Sequence, residues 1–251
     1  MSTSHPHPER QEPPQHPITP RRVSFDWRET PLVWMLLDHL AHQGLDTRPY
    51  TRHVDFLFEH LLGDKPPFGV PVPAREWLRF RLSLIAAIEQ FTAVLGDWVL
   101  DADGLDRAEP DPVMLDLLRW HGAEEVEHRA VAFDTYQHTG GEDPARRARR
   151  ILGMPVTAPV LLYLWGWGAA YLLRHDPQLA ASSRYSLRAH NRAVRRGLLP
   201  TWRELGAAIP RYLRRSYHPS QEGSLRTAVA YLASSPAARA AAGAVGRAAV
   251  S

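Results

Sequence analysis

The feature that most constrains this chain is the segment 76–100 (EWLRFRLSLIAAIEQFTAVLGDWVL), which is apolar around much of its circumference when it is drawn as a helix. A surface helix needs only one apolar stripe, so this pattern predicts a central helix that other elements surround. The remaining apolar positions also recur at helical spacing, and no segment alternates for long with the period of two that is typical of a half-buried strand. The sequence therefore predicts an all-α protein.

Further helices are predicted on both sides of this central one. The first begins with a proline at its first position and stops before a glycine, two signals that mark the ends of helices. A Pro/Asp-rich loop over residues 101–111 separates the central helix from the next one. The further predicted helices are 31–42, 52–62, 112–136, 182–196 and 202–215.

Both ends of the chain differ in composition from its middle. Residues 1–20 hold six prolines and almost no apolar side chains, so burial cannot offset the entropy of ordering them. They also lack the apolar stretch of a secretory signal. Residues 234–251 are rich in alanine, which predicts a flexible tail or a weak helix. We expect one all-α domain over residues 21–233 between two disordered tails.

Composition and charge exclude several classes of function. The chain has no cysteine, which excludes disulfide scaffolds, thiolate metal sites and thiol nucleophiles, so any bound metal must use His, Asp, Glu or water. A chain without cysteine fits a reducing compartment, and we expect a cytoplasmic location. The net charge of +3 is small and spread along the chain, whereas nucleic-acid binding needs a clustered basic face. No nucleic-acid partner is expected.

Residues 151–173 (ILGMPVTAPVLLYLWGWGAAYLL) form an uncharged stretch that follows a cluster of arginines. Its length and its basic flank meet the criteria for a membrane span. Pro155, Pro159, Gly166 and Gly168 reduce its hydrophobicity, and a buried helix of an all-α protein has a similar composition. Three interpretations stay open: a helix in the core or at a dimer interface, a segment associated with a membrane, and an irregular loop.

Three groups of residues could carry chemistry, and two of them lie on neighbouring predicted helices. Glu89 lies in the middle of the apolar segment, where a carboxylate is costly unless it is paired or holds a cation. On the next predicted helix, Glu125 and His128 share a face, and His121 lies two turns before His128. Glu-x-x-His, paired with a lone Glu from an adjacent helix, is the spacing found in carboxylate-bridged dimetal bundles.

Each of these features also has a purely structural interpretation. Glu89 could reach the surface or pair with an arginine, and the acidic, His-bearing face could simply be solvated. His39 and His42, three residues apart beside Asp38, form a third candidate group. Serine-histidine-aspartate catalysis has less support, because the chain has no G-x-S-x-G elbow. The short loop before the second group favours antiparallel pairing of the two helices, which would place Glu89 beside it.

Four segments resemble the family of predicted metal-dependent hydrolases, which is similar to the ferritin-like di-iron carboxylate proteins: RRVSFDWRETPLVW, IEQFTAVLGDWVL, LLRWHGAEEVEHRAVAFDTY and RSYHPS. The match covers roughly residues 18–233. It implies a ferritin-like partial helical bundle with a divalent metal ion, which could be iron, manganese or zinc. The metal-site residues implied by the resemblance are Glu89, Glu125, His128 and His121, with Glu124 as a proton acceptor that helps activate water for hydrolysis of a small-molecule substrate.

The chain departs from the family pattern near its beginning. Family members carry a region with P-x-G-E and Q-E-x-x-H-x-x-x-H between the F-D-W and D-H-L-x-x-Q-G-L-D-T stretches. In this chain residues 28–34 run almost directly into residues 37–47, so a stretch long enough for two helices is missing, along with the other half of the ligand set. His39 and His42 belong to the following stretch and do not replace the missing motif.

Two hypotheses follow from this departure. In the first, the chain is an enzyme, and a two-fold homodimer restores the full set of ligands across its interface. In the second, the chain is a degenerate, non-catalytic relative that acts as an interaction or membrane-surface protein, with residues 151–173 as the surface-binding segment. Both predict self-association, because removal of two helices exposes apolar faces.

Overall fold

The computed structural model of the protein describes residues 31–140, 144–176 and 186–248. Within these ranges the backbone forms α-helices with short 3-10 and π turns and contains no strand, which confirms the all-α prediction. The tail predicted over residues 1–20 lies outside the described residues. The helices are α1 (Pro31–His42), α2 (Arg48–Asp55), α3 (Ala74–Asp101), α4 (Asp103–Arg107), α5 (Pro112–His128), α6 (Val131–Gly140), α7 (Arg146–His175), α8 (Leu187–Arg195), α9 (Trp202–Leu213), α10 (Leu225–Ser234) and α11 (Pro236–Ala248).

Helix α3 is the centre of the fold, as its apolar circumference predicted. It packs against α5, α6, α7 and α9. One buried cluster joins Ala86, Ala87 and Phe91 of α3 to residues from α6, α7 and α9, among them Phe133 and Leu161. This arrangement removes a largely apolar helix from water on most sides, which is the main source of its stability.

Two glycines bring α3 and α5 into backbone contact. A Cβ atom at Gly96 would lie 2.2 Å from the carbonyl oxygen of Gly122, and a Cβ at Gly122 would lie 3.0 Å from the Cα of Gly96. No side chain larger than hydrogen fits at Gly96 without separating the helices. The crossing therefore fixes the distance between α3 and α5. It lies two turns from Glu89 along α3 and one turn from Glu125 along α5.

The predicted helix over residues 112–136 is two helices, which corrects its boundaries. Asp111 begins α5, since its carboxylate accepts the backbone N–H groups of Val113 and Met114 at 2.9 and 3.0 Å. The helix ends at His128, and the buried side chain of the next residue, Arg129, donates hydrogen bonds to the carbonyl oxygens of Val126 and Pro219. The second helix, α6, then begins at Val131.

Residues 151–173 lie within α7, so the irregular loop is the wrong interpretation for this segment. Gly153 packs on the backbone of Ser83 in α3, and the buried guanidinium of Arg150 lies 5.6 and 5.4 Å from the ring centres of Phe133 and Tyr212. Among the described residues, α3 and α7 are the helices with the length and apolar composition to cross a membrane, a test that the core helix of a soluble protein also passes.

The C-terminal segment adds two helices to α5. Helix α10 was not expected from the sequence; it is capped by Ser224, whose hydroxyl accepts the N–H of Thr227 at 3.3 Å. In the segment predicted as a flexible tail or weak helix, Pro236–Ala248 forms α11. Its Ala237 and Ala241 are buried in a cluster with Leu117 and Trp120 of α5.

Candidate metal centre

Glu89 of α3 contacts the beginning of α6. Its Oε2 accepts the backbone N–H of Ala132 at 3.0 Å. The first N–H groups of a helix lack intrahelical partners and carry a partial positive charge, so a carboxylate from another helix is a suitable cap. From the sequence, the surface or an arginine was a possible partner of this acid; in the structure its partner is a backbone N–H.

Burial raises the pKa of Glu89 to about 7. The hydrogen bond from Ala132 acts in the opposite direction, while the nearby charge of Glu125 raises this pKa further. Glu89 and Glu125 are therefore close enough to repel each other when both are ionised. Repelling acids in a half-buried position are the kind of arrangement that a bound cation would relieve.

Glu125 of α5 lies between a hydroxyl and an imidazole. The hydroxyl of Thr92 in α3 donates a hydrogen bond to its Oε2 at 2.5 Å, and Nε2 of His121, one turn earlier, lies 3.5 Å from its Oε1. The Glu125 side chain is 24% exposed and that of His121 is 48% exposed. These two residues are thus within reach of a ligand that approaches from outside the helix pair.

Glu124 and His128 occupy different surroundings on the same helix. Burial raises the pKa of Glu124, while the imidazoles of His121 and His128 and a hydrogen bond from Trp120 act in the opposite direction. His128 is exposed and is the last residue of α5. The implied roles of Glu124 as proton acceptor and of His128 as ligand stay predictions.

The types of donor fit a divalent metal, but their arrangement in one chain does not. Carboxylate and imidazole are the ligands that iron, manganese and zinc bind in carboxylate bundles. Across the described ranges, no three His, Asp or Glu side chains are grouped so that they could hold an ion. Glu89 is directed to a backbone N–H and Glu125 to a hydroxyl, so one chain does not present a complete ligand set.

A family model described as predicted metal-dependent hydrolase matches residues 35–223, which is most of the chain and includes the three acids and two histidines discussed above. The chain belongs to the family of predicted metal-dependent hydrolases. No curated protein and no solved structure matches it. Membership in the family confirms the resemblance, and the description of the family implies a metal ion without naming the metal or the substrate.

The remaining candidate histidines of this hydrolase family member lie away from Glu125. His39 of α1 has its Nε2 3.5 Å from Asp111, which stands at the opposite end of α5, about 20 Å along the helix from Glu125. The Nδ1 of His42 lies 2.8 Å from the backbone carbonyl oxygen of Asp38. That His39 and His42 do not act as metal ligands stays a prediction.

One polar cluster was not expected from the sequence. Nε2 of His218 lies 2.9 Å from Asp134 of α6, and its Nδ1 lies 2.8 Å from the hydroxyl of Ser220 and accepts the backbone N–H of Ser220 at 3.2 Å. Because Nδ1 is an acceptor, Nε2 carries the proton that Asp134 accepts. The ring thus caps the short turn at Pro219–Gln221 and ties it to α6. No spacing rule could have revealed the pair, since 84 residues separate its members.

Proposed function

We propose that the protein is a metal-dependent hydrolase whose metal site is completed by a second copy of the chain. The observation that carries this proposal is the approach of two acids, Glu89 and Glu125, from neighbouring helices. Within the described part of the chain no arginine pairs with either of them, and their mutual repulsion contributes to the raised pKa of Glu89. The description of the family names a metal, and the two acids are held together at a cost in free energy. Both observations favour a cation at this place.

A two-fold dimer supplies what one chain lacks. Dimetal bundles use a Glu from each of two helices and a Glu-x-x-His from each of the other two. One chain offers Glu89 on α3 and the pair Glu125 and His128 on α5, so two chains related by a two-fold axis contain the full set. The exposure of His121 and His128 leaves both imidazoles accessible to the facing copy.

The metal ion and the residues around it would have separate roles in hydrolysis. If Glu89, Glu125 and His128 of two copies hold a divalent ion, that ion would supply a Lewis acid able to activate water for hydrolysis. Glu124 is half-buried beside two imidazoles, and its raised pKa suits a group that accepts a proton during hydrolysis. The metal would be iron, manganese or zinc, and the substrate a small molecule of unidentified class.

The test combines metal content with oligomeric state. The full chain, purified and supplied with iron, manganese or zinc, is expected to elute as a dimer with bound metal. Glu89→Gln and His128→Ala should each remove most of that metal. Glu127→Gln is the matched control, because Glu127 is an exposed acid of the same helix, and it should keep the metal. A metal-loaded monomer, or metal that survives Glu89→Gln, would contradict the proposal.

The alternative function is that of a non-catalytic family member that acts as an interaction or membrane-surface protein. It is favoured by one observation, the lack of any group of three potential ligands among the residues that the structure describes. If this alternative holds, the protein stays free of metal with all three ions. Its oligomeric state is then unaffected by Glu89→Gln.

A further inference from the structure

We infer that α7 binds the surface of an anionic membrane, with the helix axis in the plane of the interface and one face toward the lipid. We call that face the outer face of α7. It follows the spacing of one helical stripe and consists of Leu152, Val156, Pro159, Leu162 and Tyr163. Leu152 is 59% exposed, Leu162 is 50% exposed and Tyr163 is 63% exposed, so no other element of the described ranges covers this apolar surface.

The apolar surface continues on both sides of the helix. On one side a cavity of about 510 Å³ lies between the outer face and Phe56, which is 47% exposed, and Arg52 also lines it. On the other side Leu162 and Trp202 line a common pocket, and Trp202 is 46% exposed. Aromatic side chains at the edges of an apolar surface are typical of proteins that lie at the level of the lipid headgroups.

The charges of α7 identify the kind of surface that it fits. The helix contains five arginines and no acidic residue. Arg147 is exposed near its beginning and Arg174 near its end, and Arg52 adds a third exposed charge beside the cavity. Basic residues that flank an apolar face attract anionic headgroups, and they would gain little from a neutral bilayer.

The opposite face of α7 is held in the protein, which argues against a membrane-spanning orientation. Arg150 is buried and binds the carbonyl oxygen of Arg214, and the Tyr171 hydroxyl donates to the carbonyl oxygen of Asp46 at 2.5 Å. Pro155 and Pro159, both exposed, provide no N–H to the carbonyl groups one turn earlier. Such carbonyl groups need water, which is present among headgroups and absent from the hydrocarbon core.

A second copy of the chain is a poorer occupant of this face. If two α7 helices packed side by side in parallel, Arg147 would face its counterpart. In an antiparallel pair the Arg147 end would meet Arg174 and His175. Neither arrangement gives an α7 arginine an acidic partner on the facing helix, whereas an anionic lipid surface supplies negative charge along the whole length.

The experiment is vesicle flotation of the full chain. We expect it to float with phosphatidylcholine vesicles that contain about one third phosphatidylglycerol, to float poorly with phosphatidylcholine alone, and to be released by high salt. The triple variant Leu152→Gln, Val156→Gln, Leu162→Gln should lower the bound fraction about tenfold or more, because the apolar contact is removed. The double variant Arg147→Gln, Arg174→Gln should weaken binding to the anionic vesicles and leave the weak binding to phosphatidylcholine vesicles unchanged.

Leu225→Gln with Val229→Gln is the matched control, since these side chains of α10 are 45% and 49% exposed and lie on another helix. This control should bind as the unchanged protein does. The inference is overturned if the unchanged protein does not float, if the triple variant floats equally well, if binding resists high salt, or if the triple variant turns a dimer into a monomer. Metal content is measured in parallel, and its loss or retention bears on the proposed hydrolase alone.

Discussion

Helices α3 and α7 are nearly equal in length and in the hydropathy of their apolar parts, and yet they lie in different environments. They have 28 and 30 residues, and the mean hydropathy of their most apolar windows is 1.3 and 1.4. Half of that window is buried in α3, compared with 17% in α7. Hydropathy therefore measures the free energy lost when a helix stays exposed to water. Whether the helix is buried depends on how many other helices pack around it.

The two helices also differ in what interrupts their apolar character. In α3 the interruptions include Gly96, which allows α5 to approach, and Glu89, which caps α6. In α7 they include Pro155 and Pro159 on the exposed side. The glycine and the acid of α3 make contacts with other helices of the fold. The prolines of α7 instead lie on the side of that helix that no other helix of the described chain covers.

The largest effect is expected from Gly96→Ala, which attacks the contact that makes α3 central. The added methyl group would lie 2.2 Å from the carbonyl oxygen of Gly122, so the helices must separate and the free energy of unfolding should fall by about 3 kcal/mol or more. Gly166→Ala in α7 is the control, because no heavy atom lies within 4 Å of its added Cβ. That variant should be neutral or gain up to about 1 kcal/mol. Urea unfolding measures both, and equal losses would refute the comparison.

A pair of neighbouring leucines sharpens the contrast within α7 itself. Leu161 is 7% exposed and belongs to the cluster with Phe91, while Leu162 is 50% exposed. Leu161→Gln should cost about 3 kcal/mol, because it loses apolar burial and places an amide in the core. Leu162→Gln should change the free energy of unfolding by about 0.5 kcal/mol or less. Similar thermal shifts for the two variants would mean that the outer face of α7 is covered in solution.

The smallest effect concerns the acid of α3 and depends on pH. Because Glu89 has a pKa of about 7 in the folded protein and an ordinary value of 4.5 when unfolded, the folded state retains its proton over that interval. The free energy of unfolding should therefore fall as pH rises from about 4.5 to about 7, by about 1–2 kcal/mol after allowance for solvent screening.

Glu89→Gln should remove that part of the pH dependence, because the amide oxygen can still accept the N–H of Ala132 but carries no charge. The variant should match the unchanged protein near pH 4 and exceed it in stability at pH 8. Denaturant titrations at the two pH values, with a chelator present, measure the difference. A variant that is less stable at pH 8 would show that the charge of Glu89 is compensated in the folded protein.

Local patterns predicted much of the fold. Helix α1 begins and ends at Pro31 and His42 as expected, and α3 extends the predicted 76–100 by two residues at its beginning and one at its end. The 3.6-residue periodicity and the end signals act over a few neighbouring residues, so they can be read directly from the sequence. The placement of Glu89 and Glu125 on neighbouring helices followed from the same patterns and a short loop.

The sequence by itself determined that this chain forms helices, which of them are apolar, and to which family it belongs. Tertiary structure decided which apolar faces are covered, where the helix over residues 112–136 breaks, and that Glu89 binds Ala132. These outcomes depend on contacts between distant parts of the chain: 43 residues separate Glu89 from Ala132, and 90 separate Arg129 from Pro219. Periodicity describes what a segment can bury, whereas the identity of the partner depends on the packing of the whole chain.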